Sequence, residues 1–87
     1  MNTMVTKQER LTIIKNIVSE ILEIEPSEMT ETSLFKEEHD ADSLRAIEIL
    51  ATLEKAFGVE ISQEALARMV NLAGVYDVVR EVAHWQD

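Results

Sequence analysis

Side chains that could do chemistry stand close together in one stretch, Glu37-Glu38-His39-Asp40-Ala41-Asp42-Ser43. Its carboxylates suggest a divalent cation. A helix–loop–helix calcium site needs alternating oxygen ligands, a glycine at the sixth position and a glutamate at the twelfth. Counting from Asp40, those positions hold Arg45 and Ala51; counting from Glu37, Glu48 is twelfth but Asp42 replaces the glycine. Specific calcium binding is not expected. His39 and His84 are far apart, and the chain has no cysteine, so neither a zinc site nor a disulfide framework is expected. Ser43 as a nucleophile would need a positioned general base. The nearest imidazole, His39, lies four residues back, across the start of a helix. There is no glycine-rich phosphate loop. The chain therefore has no credible active site of its own and is not expected to be an enzyme. What remains is one hydroxyl, Ser43, between Asp42 and Leu44.

The element that positions Ser43 is a helix. Asp42 is a good N-cap, because its carboxylate can accept a backbone N–H that the first turn leaves unpaired. Ser43 to Phe57 then has a helical pattern, and Gly58 stands where a left-handed residue ends helices. At about 100° per residue, Ala46, Ile49, Leu50, Leu53 and Phe57 share one arc, an ordinary core face. Leu44, Ile47 and Ala51 form a second, narrower arc on roughly the opposite side, flanked by Glu48, Glu54 and Lys55. One helix of a small domain rarely has core on both sides. The second stripe is either covered by another element, such as a loop, or presented to a partner.

The other elements follow in order. Residues 1–5 are expected to be disordered. Thr6 and Glu9 form a capping box that opens a helix from Lys7 to about Glu23, with Leu11, Ile14, Ile17, Val18, Ile21 and Leu22 inward. Pro26 breaks that pattern. A long connection to about Ala41 follows, in which Leu34 or Phe35 must pin the chain to the core and Thr30, Thr32 and Ser33 are turn residues. Long loops of this kind are often functional. After Gly58, a short crossing turns Val59 or Ile61 inward. Ser62 caps a short helix from Gln63 to about Met69. Asn71 caps a last helix, Leu72 to about Trp85, with Leu72, Val75, Tyr76, Val79, Val82 and Ala83 on one face; Gly74 in its first turn costs helix propensity. No stretch alternates long enough to be a strand. The expected fold class is all-α: a small four-helix bundle of three main helices, one short helix and a long first loop.

Eighty-seven residues suffice for one domain with one small core. Lys+Arg is 8 and Asp+Glu is 17, a net charge of −9. Such a chain is repelled by phosphate backbones and anionic membranes, which argues against nucleic-acid and membrane partners and for basic protein partners. The same acidity would also keep the chain soluble and monomeric. No apolar run is long enough to span a bilayer, and residues 1–10 lack the apolar core of a signal peptide. A cytoplasmic monomer is the expectation.

Asp42-Ser43-Leu44, continuing Arg45-Ala46-Ile47-Glu48-Ile49-Leu50, resembles the start of the second helix of the acyl carrier proteins. Leu53-Glu54-Lys55-Ala56-Phe57-Gly58-Val59-Glu60-Ile61 and the Asn71-Leu72 opening of the last helix are similar to that family too. The resemblance runs from Thr6 to Trp85, and it implies a four-helix bundle. It implies that Ser43 carries a 4′-phosphopantetheine arm, added from coenzyme A by a phosphopantetheinyl transferase, and that Asp42 assists that metal-dependent transfer besides capping. The arm holds acyl groups as thioesters for an acyltransferase or ligase, a ketosynthase and other biosynthetic enzymes. It further implies that Leu44, Ile47, Glu48, Ala51 and Glu54 form the partner-docking face. A phosphodiester on Ser43 would sit at a helix N-terminus, where backbone N–H groups and the dipole favour an anion.

The sequence departs from the family pattern in places. His39-Asp40 stands where many members have Leu-Gly, Arg45 replaces a usual acidic residue and makes the docking face less negative, and Ala51 is smaller than the common residue. These departures point to a discrete carrier of polyketide or mixed polyketide–peptide biosynthesis. A fatty-acid carrier and a stand-alone peptidyl carrier are the neighbouring alternatives, and an unmodified helical adaptor or regulatory protein is the alternative of another class. For the cargo, Leu50, Leu53, Met69, Val75 and Val79 would line any cavity, and a closed core with solvated cargo is the expectation.

Overall fold

Capping chemistry sets the boundaries of nearly every element in the computed structural model, which describes residues 7–35 and 42–85. Among the described residues three α-helices are delimited: α1, Lys7–Leu22; α2, Ser43–Phe57; and α3, Leu72–Ala83. Two 3-10 segments, Pro26–Glu28 and Gln63–Arg68, complete the order. The chain is all-helical, with no strand among the described residues. Asp42 caps α2, Ser62 accepts from the Glu64 amide ahead of the second 3-10 segment, and Asn71 caps α3 by accepting from the Gly74 amide at 2.8 Å. Gly58 ends α2 at φ +64°. Thr6, residues 1–5, His39-Asp40 and the end of the loop at Ala41 lie outside the described residues.

Several boundaries differ from the sequence reading, each by one or two residues at a helix end. Helix α1 stops at Leu22, because Glu23 takes a left-handed φ of +61° and begins a Schellman turn: the Glu23 amide bonds to the Glu20 carbonyl and the Ile24 amide to the Ser19 carbonyl. Helix α3 stops at Ala83, because His84 is left-handed at φ +60°; Trp85 folds back with its amide on the Arg80 carbonyl. The segment from Gln63 ends at Arg68 and is a 3-10 helix, as short connecting helices often are.

Leu11, Ile14, Val18 and Leu22 of α1 meet Ile49, Leu50 and Leu53 of α2 and Leu72, Val75, Tyr76, Val78 and Val79 of α3 in one core. Ile17, Ile21 and Val82 pack half-buried at its edge. Val78 joins the core although it was not read into the α3 face, as does Ser19, whose Oγ has no hydrogen-bond partner among the described residues. Phe57, Tyr76 and Trp85 close the end of the bundle where α2 finishes. Trp85 meets Phe57 edge-on at 5.3 Å between centroids, and the Arg10 guanidinium lies 4.4 Å over the Trp85 ring.

The connection after α1 is pinned at several points. Met29 and Phe35 are buried, while Leu34 faces outward, so Phe35 is the anchor. Thr30 and Ser33 bond each other's backbone and side chain, as turn residues do. The Phe35 amide donates to the Val70 carbonyl at 2.9 Å, and the Ala73 amide to the Glu31 carbonyl at 3.0 Å. These bonds lay the loop along the junction between the second 3-10 segment and α3.

Arg68 ties that 3-10 segment to α3 by a bidentate pair with Glu81, at 2.9 and 2.5 Å. The hydrogen bond from Arg68 holds the Glu81 carboxyl below its ordinary value. Because the folded-state value is depressed, the pair's stabilisation is present above the ordinary carboxylate range and is lost as pH falls through the lowered value. Arg68, itself shifted upward, stays charged throughout. Both side chains are exposed, so the effect is small and screened by salt. Glu81→Gln should lower the thermal midpoint slightly at neutral pH and low salt, and the difference from the parent should vanish in acid. A pH series of melting curves checks it; a difference that persists in acid would contradict it.

Candidate functional site

The first turn of α2 is built by Asp42. Its backbone is extended, and Oδ1 accepts the Arg45 amide at 3.0 Å while its carbonyl takes the Ala46 amide, also at 3.0 Å. This arrangement presents Ser43, the first helical residue, to solvent. Ser43 stands at the edge of a cleft of about 640 Å³. Phe35, Ile49 and Met69 line the cleft among other apolar side chains, with Leu34, Ile47 and Val70 partly exposed around them. The hydroxyl thus sits at the junction of a helix N-terminus and a mostly apolar groove.

The second stripe of α2 is not covered among the described residues. Leu44 is 66% exposed and Ile47 42% exposed, and Glu48 and Ala51 are exposed as well. Leu34 at 36% and Val70 at 48% extend this apolar surface across the cleft. Leu34 was read only as a possible core anchor and Val70 was not singled out; each adjoins a buried neighbour, Phe35 and Met69.

Two charges of the stripe are directed elsewhere. Glu54 is half-buried, and its carboxylate accepts the Ile61 amide at 2.7 Å, fastening the crossing after α2 rather than standing free at a rim. Arg45 was expected to make this face less negative. Its guanidinium instead reaches α1, where Nη1 donates to the Ile21 carbonyl and Nη2 lies 3.3 Å from Glu23 Oε2. A weaker approach to Glu48, 3.9 Å, keeps it near its own helix.

The residues considered for a cargo cavity separate. Leu50, Leu53, Val75 and Val79 are buried core, and only Met69 lines the cleft. The apolar cleft beside Ser43 thus shares only Met69 with that set. Among the described residues no group of three or more carboxylate, histidine or cysteine side chains could hold a metal ion, and no helix is long and apolar enough to cross a membrane.

Comparison with known proteins agrees with this architecture. Residues 12–79 match the family model described as "Phosphopantetheine attachment site". The chain is similar to the polyketide-8 synthase acyl carrier protein 1 of Streptomyces avermitilis, 69% identical over 70 residues, covering 80% of this chain and 83% of that one. It is 35% identical over 75 residues to the acyl carrier protein of Rubrobacter xylanophilus, covering 86% and 93% of the two chains. Among solved structures, a chain in "The ishigamide ketosynthase/chain length factor" superposes with a TM-score of 0.76 at 30% identity, covering 88% of this chain and 97% of that one. The acyl carrier protein of Enterococcus faecalis gives 0.73 at 28% identity, covering 90% and 99%. With the capped α2, the all-helical fold and a family match over most of the chain, this protein belongs to the acyl carrier proteins, non-catalytic carriers with a phosphopantetheine attachment site.

Proposed function

We propose that Ser43 is the attachment point and that the chain carries acyl intermediates for cytoplasmic enzymes of polyketide assembly. The observation that carries this reading is the exposed Ser43 hydroxyl at the first turn of α2, on the lip of an apolar cleft. The 69% identity to a polyketide synthase carrier supports the pathway class. The residues fit a phosphodiester-linked group. The hydroxyl is reachable, the helix N-terminus favours an anion, and the cleft can shelter an apolar chain. When bound, phosphopantetheine supplies a flexible thiol that holds acyl groups as thioesters. The protein's own residues supply position. Asp42 fixes the turn through the Arg45 amide and stands exposed beside Ser43, where a transferase's metal-bound coenzyme A would approach. Phe35, Ile49 and Met69 offer an apolar wall on which each buried methylene gains about 0.8 kcal/mol.

The partners of this reading are a phosphopantetheinyl transferase, an acyltransferase or ligase, and a ketosynthase. Leu44 and Ile47 form the centre of the docking face, with Leu34 and Val70 beside them, Glu48 at its rim and Ala51 at its far end. Glu54 serves this face indirectly, by holding Ile61 and the crossing below it. Incubation with coenzyme A and a broad-specificity transferase tests the reading: intact mass should rise by one phosphopantetheine, whereas an unmodified adaptor would gain nothing.

The docking face yields a prediction of its own. Ile47→Asp places a charge where an apolar contact is desolvated, and should slow ketosynthase-dependent acyl transfer by roughly tenfold or more, with helicity unchanged. Glu48→Lys, at the rim, should slow it a few-fold at low salt and progressively less as salt rises. Transfer rates equal to the parent in both variants would move the docking face elsewhere.

A further inference from the structure

Arg45 occupies a place where a cation is disfavoured, the first turn of a helix, whose dipole presents positive charge. Its side chain leaves that turn and lies against the C-terminal end of α1, where a cation is favoured and carbonyls lack helical partners. The Schellman turn at Glu23 occupies the carbonyls of Ser19 and Glu20. The next carbonyl, Ile21, takes Arg45 Nη1, and Glu23 Oε2 receives Nη2 at 3.3 Å. The forked, planar guanidinium makes both contacts together, which a single ammonium matches poorly. Meanwhile the Arg45 backbone amide is the donor that Asp42 accepts. One residue thus joins the cap of α2 to the end of α1. Ser43 and Arg45 are two positions apart, about 200° around the helix, so the grip on α1 lies behind the hydroxyl and leaves its cleft side free.

We infer that Arg45 is a positioning residue for arm attachment, clamping the first turn of α2 to the C-terminus of α1 and so holding Ser43 in place, rather than a charge offered to partners. This rests on the reading of Ser43 as the attachment point, but the clamp itself is measurable without any arm. The experiment compares the unmodified parent with Arg45→Ala, Arg45→Lys and Glu23→Gln, by amide hydrogen exchange and by transferase kinetics at two salt concentrations.

In Arg45→Ala, exchange at the Glu23 and Ile24 amides and at the Arg45 and Ala46 amides should rise together by about tenfold, since a charge-assisted bond closing both ends is lost. Val75 and Val79 should exchange as in the parent. Transferase KM should rise several-fold with kcat little changed. Arg45→Lys should recover part of both effects, and Glu23→Gln should reproduce a smaller share of them, although Glu23 lies on α1. Unchanged exchange at the two helix ends in Arg45→Ala would overturn the clamp. So would a salt-dependent kinetic loss that Glu23→Gln does not share, which would make Arg45 a docking charge. If the parent accepts no arm, the attachment reading fails, and the exchange data still decide the clamp.

Discussion

Ser43→Ala should abolish acyl loading completely while leaving the helices as they are. The hydroxyl is exposed, and the bonds that build the turn come from Asp42: its carboxylate to the Arg45 amide and its carbonyl to the Ala46 amide. Alanine at the first helical position keeps all of them and has the better helix propensity. The thermal midpoint should therefore stay within the spread of neutral surface substitutions, about 0.5 kcal/mol. Asp42→Ala tests the two roles given to Asp42, capping and assistance to the transfer. Loss of the cap should cost about 1 kcal/mol, and loading should slow without disappearing, because the hydroxyl is still present. Far-ultraviolet circular dichroism, melting curves and mass after transferase treatment check both variants. An arm retained by Ser43→Ala would show that another hydroxyl takes it.

Gly74→Ala should be the most damaging of the conservative changes, although alanine ordinarily strengthens a helix. A Cβ at Gly74 would run into the Arg68 carbonyl oxygen and would also crowd Arg68 C and Asn71 Oδ1, each at 3.2 Å. The carbonyl is backbone, so relief requires the 3-10 segment to move away from α3. Overpacking of this kind costs about 1–3 kcal/mol, and the propensity gain of about 1 kcal/mol offsets part of it only when the clash is mild. A net loss of about 2 kcal/mol would lower the thermal midpoint by roughly 8–16 °C in a domain of this size. The function should suffer too, because the displaced segment supplies Leu66 and Ala67 to the cleft and leads directly into Met69 and Val70, which also line it. A midpoint equal to or above the parent's would contradict the close approach.

Most of the fold was legible because its signals are local. Asp42, Ser62 and Asn71 are side-chain caps, Gly58 is a left-handed stop, and the core stripes of α1 and α2 follow helical spacing. What escaped the sequence depends on contacts between distant segments. Gly74 read as a cost to α3, and only the nearness of Arg68 explains it. Arg45 read as a surface charge, because nothing local says that the end of α1 lies within its reach, 24 residues back. Glu54 read as a rim residue for the same reason, its partner being the Ile61 amide beyond the helix end. The exposed pair of Leu44 and Ile47 was visible as a second stripe, whereas Leu34 and Val70 joined it only once the loop was laid along the α3 junction. The cleft beside Ser43 is likewise a product of that packing. A reading of helix faces alone led to Leu50, Leu53, Met69, Val75 and Val79, all buried, of which Met69 lines the cleft.

The central claim is that one hydroxyl, Ser43, bears the arm. Fragmentation mass spectrometry of the loaded native chain tests it most directly, since it assigns the added phosphopantetheine to a residue without altering the protein. The predicted result is a single modification confined to the peptide holding Asp42-Ser43-Leu44, with fragment ions placing it on Ser43. Modification at Ser33, Ser62 or any other hydroxyl, or a mixture of sites, would contradict the account.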